Sequence, residues 1–82
     1  MWWHVGCEAL QAGKRLRVTY DGYSRIVEVH AVGTSRDDNP LMRVWQCSGG
    51  SVSNEPIGWK LMRLDKTWSF VIMDERSEVI RR

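Results

Sequence analysis

Eighty-two residues make one domain at most, and a chain this short buries only about 60% of the surface it exposes when unfolded. Apolar residues at 43% and charged residues at 27%, with five Trp, two Tyr and one Phe, exclude a disordered coil. No apolar run approaches the ~20 residues of a membrane-spanning helix, and the net charge of +2 permits an acidic partner without demanding one.

Residues 2–12 read as a short helix. Trp3, Cys7 and Leu10 fall at helical spacing, as do Trp2, Val5 and Ala9, so its apolar side is broad. Gly13 is a helix stop, with Lys14 and Arg15 beyond it to favour the negative end of the dipole. Gly6 weakens the helix by about 1 kcal/mol relative to Ala. So short a helix is unstable alone and must pack on the strands C-terminal to it.

Five strands are expected next. Residues 15–20 alternate, with Leu16, Val18 and Tyr20 against Arg15, Arg17 and Thr19. Asp21-Gly22 is a hairpin turn. The return strand, residues 24–32, sets Arg25, Val27, Val29 and Ala31 against Ile26, Glu28, His30 and Val32, and the first set reads as the buried one. A polar loop ends in Asp37-Asp38-Asn39-Pro40. The third strand, residues 41–47, has Leu41, Arg43, Trp45 and Cys47 on one face and Met42, Val44 and Gln46 on the other. A long Ser/Gly-rich loop, residues 47–57, comes after it.

The fourth strand, residues 58–64, points Lys60, Met62 and Leu64 one way and Trp59, Leu61 and Arg63 the other, so each face carries apolar bulk and a cation. A tight turn at Asp65-Lys66 leads to the fifth, residues 67–73, with Trp68, Phe70 and Ile72 against Ser69 and Val71. Residues 74–82 read as a charged tail or a short helix. One helix and five short antiparallel strands form the pattern of a small, strongly bent barrel spanning about residues 15–73, in a mainly β, single-domain chain. The cations lie on expected strands and the acids mostly in turns or the tail, so folding can gather positive charge onto one surface.

The order of features resembles the WYL domain. Ala9-Leu10-Gln11-Ala12-Gly13-Lys14-Arg15-Leu16-Arg17-Val18-Thr19-Tyr20 is similar to that family's opening helix and basic strand ending in Tyr. Arg25-Ile26-Val27-Glu28-Val29-His30 resembles its next strand, with Val29 where Pro is usual. Leu41-Met42-Arg43-Val44-Trp45-Gln46 and Gly58-Trp59-Lys60-Leu61-Met62-Arg63-Leu64-Asp65 resemble two later strands, the last being the most specific match. The Trp-Tyr-Leu tripeptide itself is absent, and Pro40-Leu41-Met42 stands near its place. The resemblance covers about residues 5–73. It implies an SH3- or Sm-like barrel of a bacterial family, many of whose members are effector-sensing parts of transcription regulators, some answering to nucleic acid. Most are fused to a helix-turn-helix. This chain has no room for one, so a free-standing sensor or interaction module is expected.

The candidate binding set is Tyr20, Arg25, His30, Arg43, Trp45, Trp59, Lys60 and Arg63. Cations neutralise phosphates, Arg suits bidentate phosphate recognition, and aromatic faces stack bases. That chemistry points to nucleic acid, single-stranded in preference to duplex, or to a small anionic effector. The plainer alternative has the Trp side chains filling the core and the cations capping its rim. Tyr20 reads better as a core ring with its hydroxyl at the rim. Homodimerisation through exposed Trp side chains and Trp2-Trp3 is the second functional reading.

No metal site or cofactor is expected, because His4 and Cys7 share a helix face but His30 and Cys47 are isolated. No nucleophile stands with a base and an orienting group, so no enzyme is expected. No signal peptide is read, and two reduced thiols in a cytoplasmic protein are expected, with one disulfide left open.

Overall fold

The computed structural model describes residues 3–50 and 57–78. The order is α1 (Trp3–Ala12), β1 (Lys14–Tyr20), β2 (Tyr23–Thr34), β3 (Pro40–Gly49), β4 (Gly58–Arg63), a 3-10 turn (Leu64–Lys66) and β5 (Thr67–Arg76). The helix and five antiparallel strands are those expected, with one local correction at the end of β5. The tight turn expected at Asp65-Lys66 is a 3-10 turn over Leu64–Lys66. Asp74, Glu75 and Arg76, expected in a tail or helix, continue β5. Residues 51–56 of the Ser/Gly-rich loop and 79–82 of the expected tail lie outside the described residues.

Local chemistry sets each boundary. Gly13 has φ 65 and donates its N–H to the Leu10 carbonyl (3.2 Å), which ends α1 in the left-handed conformation glycine favours. Asp21 and Gly22 both have positive φ, 50 and 80, as a two-residue hairpin turn requires. The Ser35 hydroxyl accepts from the N–H groups of Asp37 (3.3 Å) and Asn39 (3.2 Å), and the Ser35 N–H donates to the Asn39 carbonyl (2.9 Å), closing the loop between β2 and β3.

The sheet order is β4-β3-β2-β1-β5. Consecutive strands β4 and β5 therefore occupy opposite edges, yet only Leu64–Lys66 separates them. A flat sheet would hold those edges about 19 Å apart, at about 4.8 Å per step. A three-residue 3-10 turn, rising about 2 Å per residue, cannot span that. The sheet must curl until the ends of β4 and β5 meet. The Thr67 hydroxyl donates to the Arg63 carbonyl at 2.7 Å, and the Arg63 N–H donates to the Tyr20 hydroxyl at 3.4 Å.

Bulges supply the bend. Cys47 is surplus on β3 where Ile26 pairs Ser48 and Val27 pairs Gln46. Residue 30 is surplus on β2 where Val29 pairs Val44 and Ala31 pairs Arg43. On β5 one irregularity falls at Ser69, whose φ is 54, and a second lies between Ile72, which pairs Leu16, and Arg76, which pairs Lys14.

The concave side holds the core: Leu16, Val18, Val27, Val29, Met42, Val44, Met62 and Leu64, closed by Ala9 of α1. Burying each Val, Leu or Met contributes about 1.5–3 kcal/mol, which outweighs surface ion pairs of about 0–1 kcal/mol. The face assignments for β3 and β4 hold: Met42, Val44, Gln46, Met62 and Leu64 are buried. On β2 the alternation resets at the bulge, so Ala31 is exposed rather than buried with Val29, and Val32 packs against the core instead. The buried stripe of α1 is also narrower than its periodicity suggests, since Leu10 is exposed.

Gly6 has a packing role that offsets its propensity cost. A Cβ there would lie 3.1 Å from Val32 Cγ2, so glycine lets α1 approach β2 closely. Gly49 is more constrained. Its φ is 107, and an added Cβ would sit 2.3 Å from the Ser24 carbonyl oxygen. Gly49→Ala is expected to destabilise by more than about 1 kcal/mol, read as a lower urea midpoint with an unchanged slope.

Candidate functional site

The eight residues of the candidate set divide between the two faces of the sheet. His30, Arg43, Trp45 and Trp59 cluster on the convex face. Trp45 and Trp59 are cross-strand partners of β3 and β4, and their rings meet edge to face at 5.5 Å and 88°. The His30 ring stands edge-on to Trp59 at 5.3 Å. It lies at the β2 bulge, next to a strand segment whose alternation the bulge has just reset. Arg43, diagonal to Trp59 across the β3–β4 pair, lays its guanidinium carbon 4.8 Å from the ring centroid. Among the described residues, Arg43 has no acid within ion-pair distance.

Lys60 alternates toward the concave side, yet it lies on the edge strand β4 and stays half-exposed. With Arg43, Trp59 and Leu61 it lines an open depression of about 270 Å³. Trp59 is 38% exposed there, so part of its indole reaches solvent. None of the buried core side chains among the described residues is a Trp, which corrects the reading in which these rings fill the core. Beneath the cluster Glu28, cross-strand partner of Trp45, is fully buried and accepts a 2.9 Å hydrogen bond from Arg15 Nε. That bond raises the Arg15 pKa.

Tyr20 and Arg25 lie on the other side. Arg25 is 3% exposed, and its guanidinium carbon is 5.2 Å from the Tyr20 ring centroid and 5.7 Å from that of Tyr23. It donates from Nη1 to Gln46 Oε1 at 3.3 Å, while Gln46 Nε2 donates to the Gly50 carbonyl at 3.0 Å. Arg25 Nε has no hydrogen-bond partner among the described residues. Tyr20 packs against the core with its hydroxyl at the β4 end, the placement expected for a rim tyrosine.

Arg63 closes the β4–β5 junction. It donates to Asp65 in two bonds, Nε to Oδ1 at 3.1 Å and Nη2 to Oδ2 at 2.7 Å, and Nη2 also reaches Asn39 Oδ1 at 2.9 Å. This bidentate clasp raises the Arg63 pKa and holds the Asp65 carboxyl below its usual range. The cations therefore do not share one surface: Arg25 is internal and Arg63 is engaged, while Arg43 and Lys60 line the depression.

Two further side chains on the convex face carry the same chemistry and lie outside the set marked by sequence. Arg17 is exposed on β1, and Trp68 on β5 is 69% exposed. The Arg-x-Val-Thr alternation signals an outward Arg17. Alternation groups Trp68 with Phe70 and Ile72, and the Ser69 bulge breaks that grouping: Phe70 packs on the core while Trp68 is exposed. Among the described residues, no three His, Cys, Asp or Glu side chains group as a metal site. No helix among them is long and apolar enough to cross a membrane. No family model, curated protein or solved structure matches the chain.

The Arg63–Asp65 clasp makes stability depend on pH. The folded-state pKa of Asp65 is lowered, so its contribution is present above the unfolded carboxyl pKa and is lost as pH falls through the folded value. Asp65→Asn is therefore expected to lower the urea midpoint at pH 6 and to match the parent chain more closely near pH 2.

Proposed function

We propose that this chain is a WYL-like, non-enzymatic binding module of the cytoplasm. In this reading it takes nucleic acid or a nucleotide-like anionic effector in a transcription-regulation setting. The observation that carries the reading is the Arg43–Trp59 stack, edged by Trp45 and His30 in an open depression that Lys60 also lines. Trp59 supplies a stacking plane, and Arg43 and Lys60 supply charge for phosphate at its margin. The stack preorganises Arg43 without neutralising it, because the ring quadrupole attracts a cation while leaving the guanidinium edge free to donate.

The strand order and the three-residue link between the edge strands support an SH3- or Sm-type barrel. Small barrels of that kind hold single strands on mixed basic and aromatic surfaces. In this reading the structural roles go to Arg25 and Arg63, and the ligand-facing roles to His30, Arg43, Trp45, Trp59 and Lys60. The dimer reading drew partly on Trp2-Trp3, whose side chains lie outside the described residues. Light scattering over a range of concentrations checks it.

Titration with a labelled single-stranded oligonucleotide and the matching duplex, at low and moderate salt, tests the proposal. Trp quenching with a steep salt dependence and preference for the single strand is expected. Trp59→Ala is expected to weaken binding by about 5- to 100-fold. Arg43→Ala is expected to reduce the salt slope by about 1. Equal binding to both forms without quenching is the signature of generic charge attraction and sinks the proposal.

A further inference from the structure

We infer that Trp68, flanked by Arg17, forms a second stacking point on the convex face, and that the ligand is a single-stranded polynucleotide rather than a free nucleotide. This deepens the reading above and rests on it. Trp68 has the highest exposure of any large apolar side chain among the described residues, at 69%. Two inward neighbours explain its direction. Thr67 is 5% exposed and Phe70 packs on the core, and the Ser69 bulge lets both point inward while Trp68 points out.

Register places Trp68 on the same face as Trp59. Trp68 pairs Thr19, which pairs Ser24; Val71 pairs Arg17, which pairs Ile26. Two residues along β2 from Ile26, Glu28 pairs Trp45, which pairs Trp59. Cross-strand partners share a face, so one surface carries Trp59 near one edge of the sheet and Trp68 at the other. Measured over the curved sheet they are four strand spacings apart, about 19 Å, and by way of the β4–β5 junction Trp59 lies four residues, about 13 Å of strand, before Arg63, so either path exceeds one nucleotide.

Charge selects the occupant. Strands β1 to β4 carry Lys14, Arg15, Arg17, Arg25, Arg43, Lys60 and Arg63. On these strands the acid is Glu28, and β5 carries Asp74 and Glu75 at its far end from Trp68. Glu28 is fully buried and held by Arg15, so it projects little negative charge onto the face. Arg17 and Arg43 are exposed there, and neither has an acid within ion-pair distance among the described residues. Two separated stacking planes with cations beside each match a flexible polyanion with accessible bases, which a single strand offers and a duplex does not. The Ser69 bulge also distorts the free edge of β5, which disfavours strand addition by a second copy.

Fluorescence anisotropy of the full chain with labelled oligodeoxythymidylates of about 4 and about 12 nucleotides, a range that small-barrel sites span, tests the inference. Trp68→Ala is expected to weaken the longer oligonucleotide by about 5- to 100-fold and to change the shorter one by less than about twofold. Trp59→Ala is expected to weaken both, Trp68→Phe to retain most of the long-strand affinity, and Arg17→Ala to lower the salt slope for the longer strand only. Trp59-dependent binding of both lengths with Trp68→Ala inert overturns the inference and leaves the single-site reading standing. Conversion of a dimer to a monomer by Trp68→Ala, with affinity unchanged, assigns Trp68 to a copy contact and likewise overturns it. Absence of binding at low salt to either oligonucleotide overturns both readings.

Discussion

Three residues join two strands that lie at opposite edges of one sheet. Chain connectivity alone then forces the sheet to curl, and much else depends on that curl. The concave side becomes narrow, and it is filled by Val, Leu and Met side chains with one helix laid across. A Trp fits such a space poorly, because its rigid bicycle cannot adapt as Met does. The described rings whose burial is known, Trp45, Trp59 and Trp68, accordingly sit at intermediate or exposed positions. The irregularities at Cys47, His30 and Ser69, and a fourth between Ile72 and Arg76, bend the ladder, and those at His30 and Ser69 lie beside aromatic side chains of the convex face.

The same geometry sorts the cations by consequence. A guanidinium taken out of water needs compensation. Arg25 finds it in two tyrosine faces and the Gln46 carbonyl, which ties the β1–β2 hairpin to β3. Arg63 finds it in Asp65 and Asn39, which ties β4 to the 3-10 turn and to the loop before β3. Arg43 lies on the outside, where water already solvates it, so its stack on Trp59 leaves charge available to a partner. A weak net charge of +2 conceals this, because the acids sit mainly in the hairpin turn, the β2–β3 loop, the 3-10 turn and the far end of β5.

Much of the fold was legible in the residues. Alternation in Arg15 to Tyr20 and in Leu41 to Cys47, the Asp21-Gly22 turn and the Gly13 stop each rest on one or two neighbouring residues, which local physics reads well. The bulges were not legible. A surplus residue at position 30 or at Ser69 is decided by register against a neighbouring strand, and register is a non-local property. Simple alternation therefore places Ala31 inside and gives no reason to include Trp68 in the binding set. Gly6 shows the same limit from the other side: its helix cost is intrinsic, while its reason, the approach to Val32, belongs to the packed state.

The sequence by itself determined the number and kind of the elements, the faces of β1, β3 and β4, and the concentration of cations on strands, because these come from side-chain period, turn chemistry and composition. Only the tertiary structure decided which of those cations remain available. Arg25, Arg43 and Arg63 are chemically identical and all lie on strands, yet one is sealed between two tyrosines, one lies over an exposed indole and one is clasped by a carboxylate. The difference between them comes from the curl imposed by a three-residue link, which sets what each guanidinium meets across the sheet.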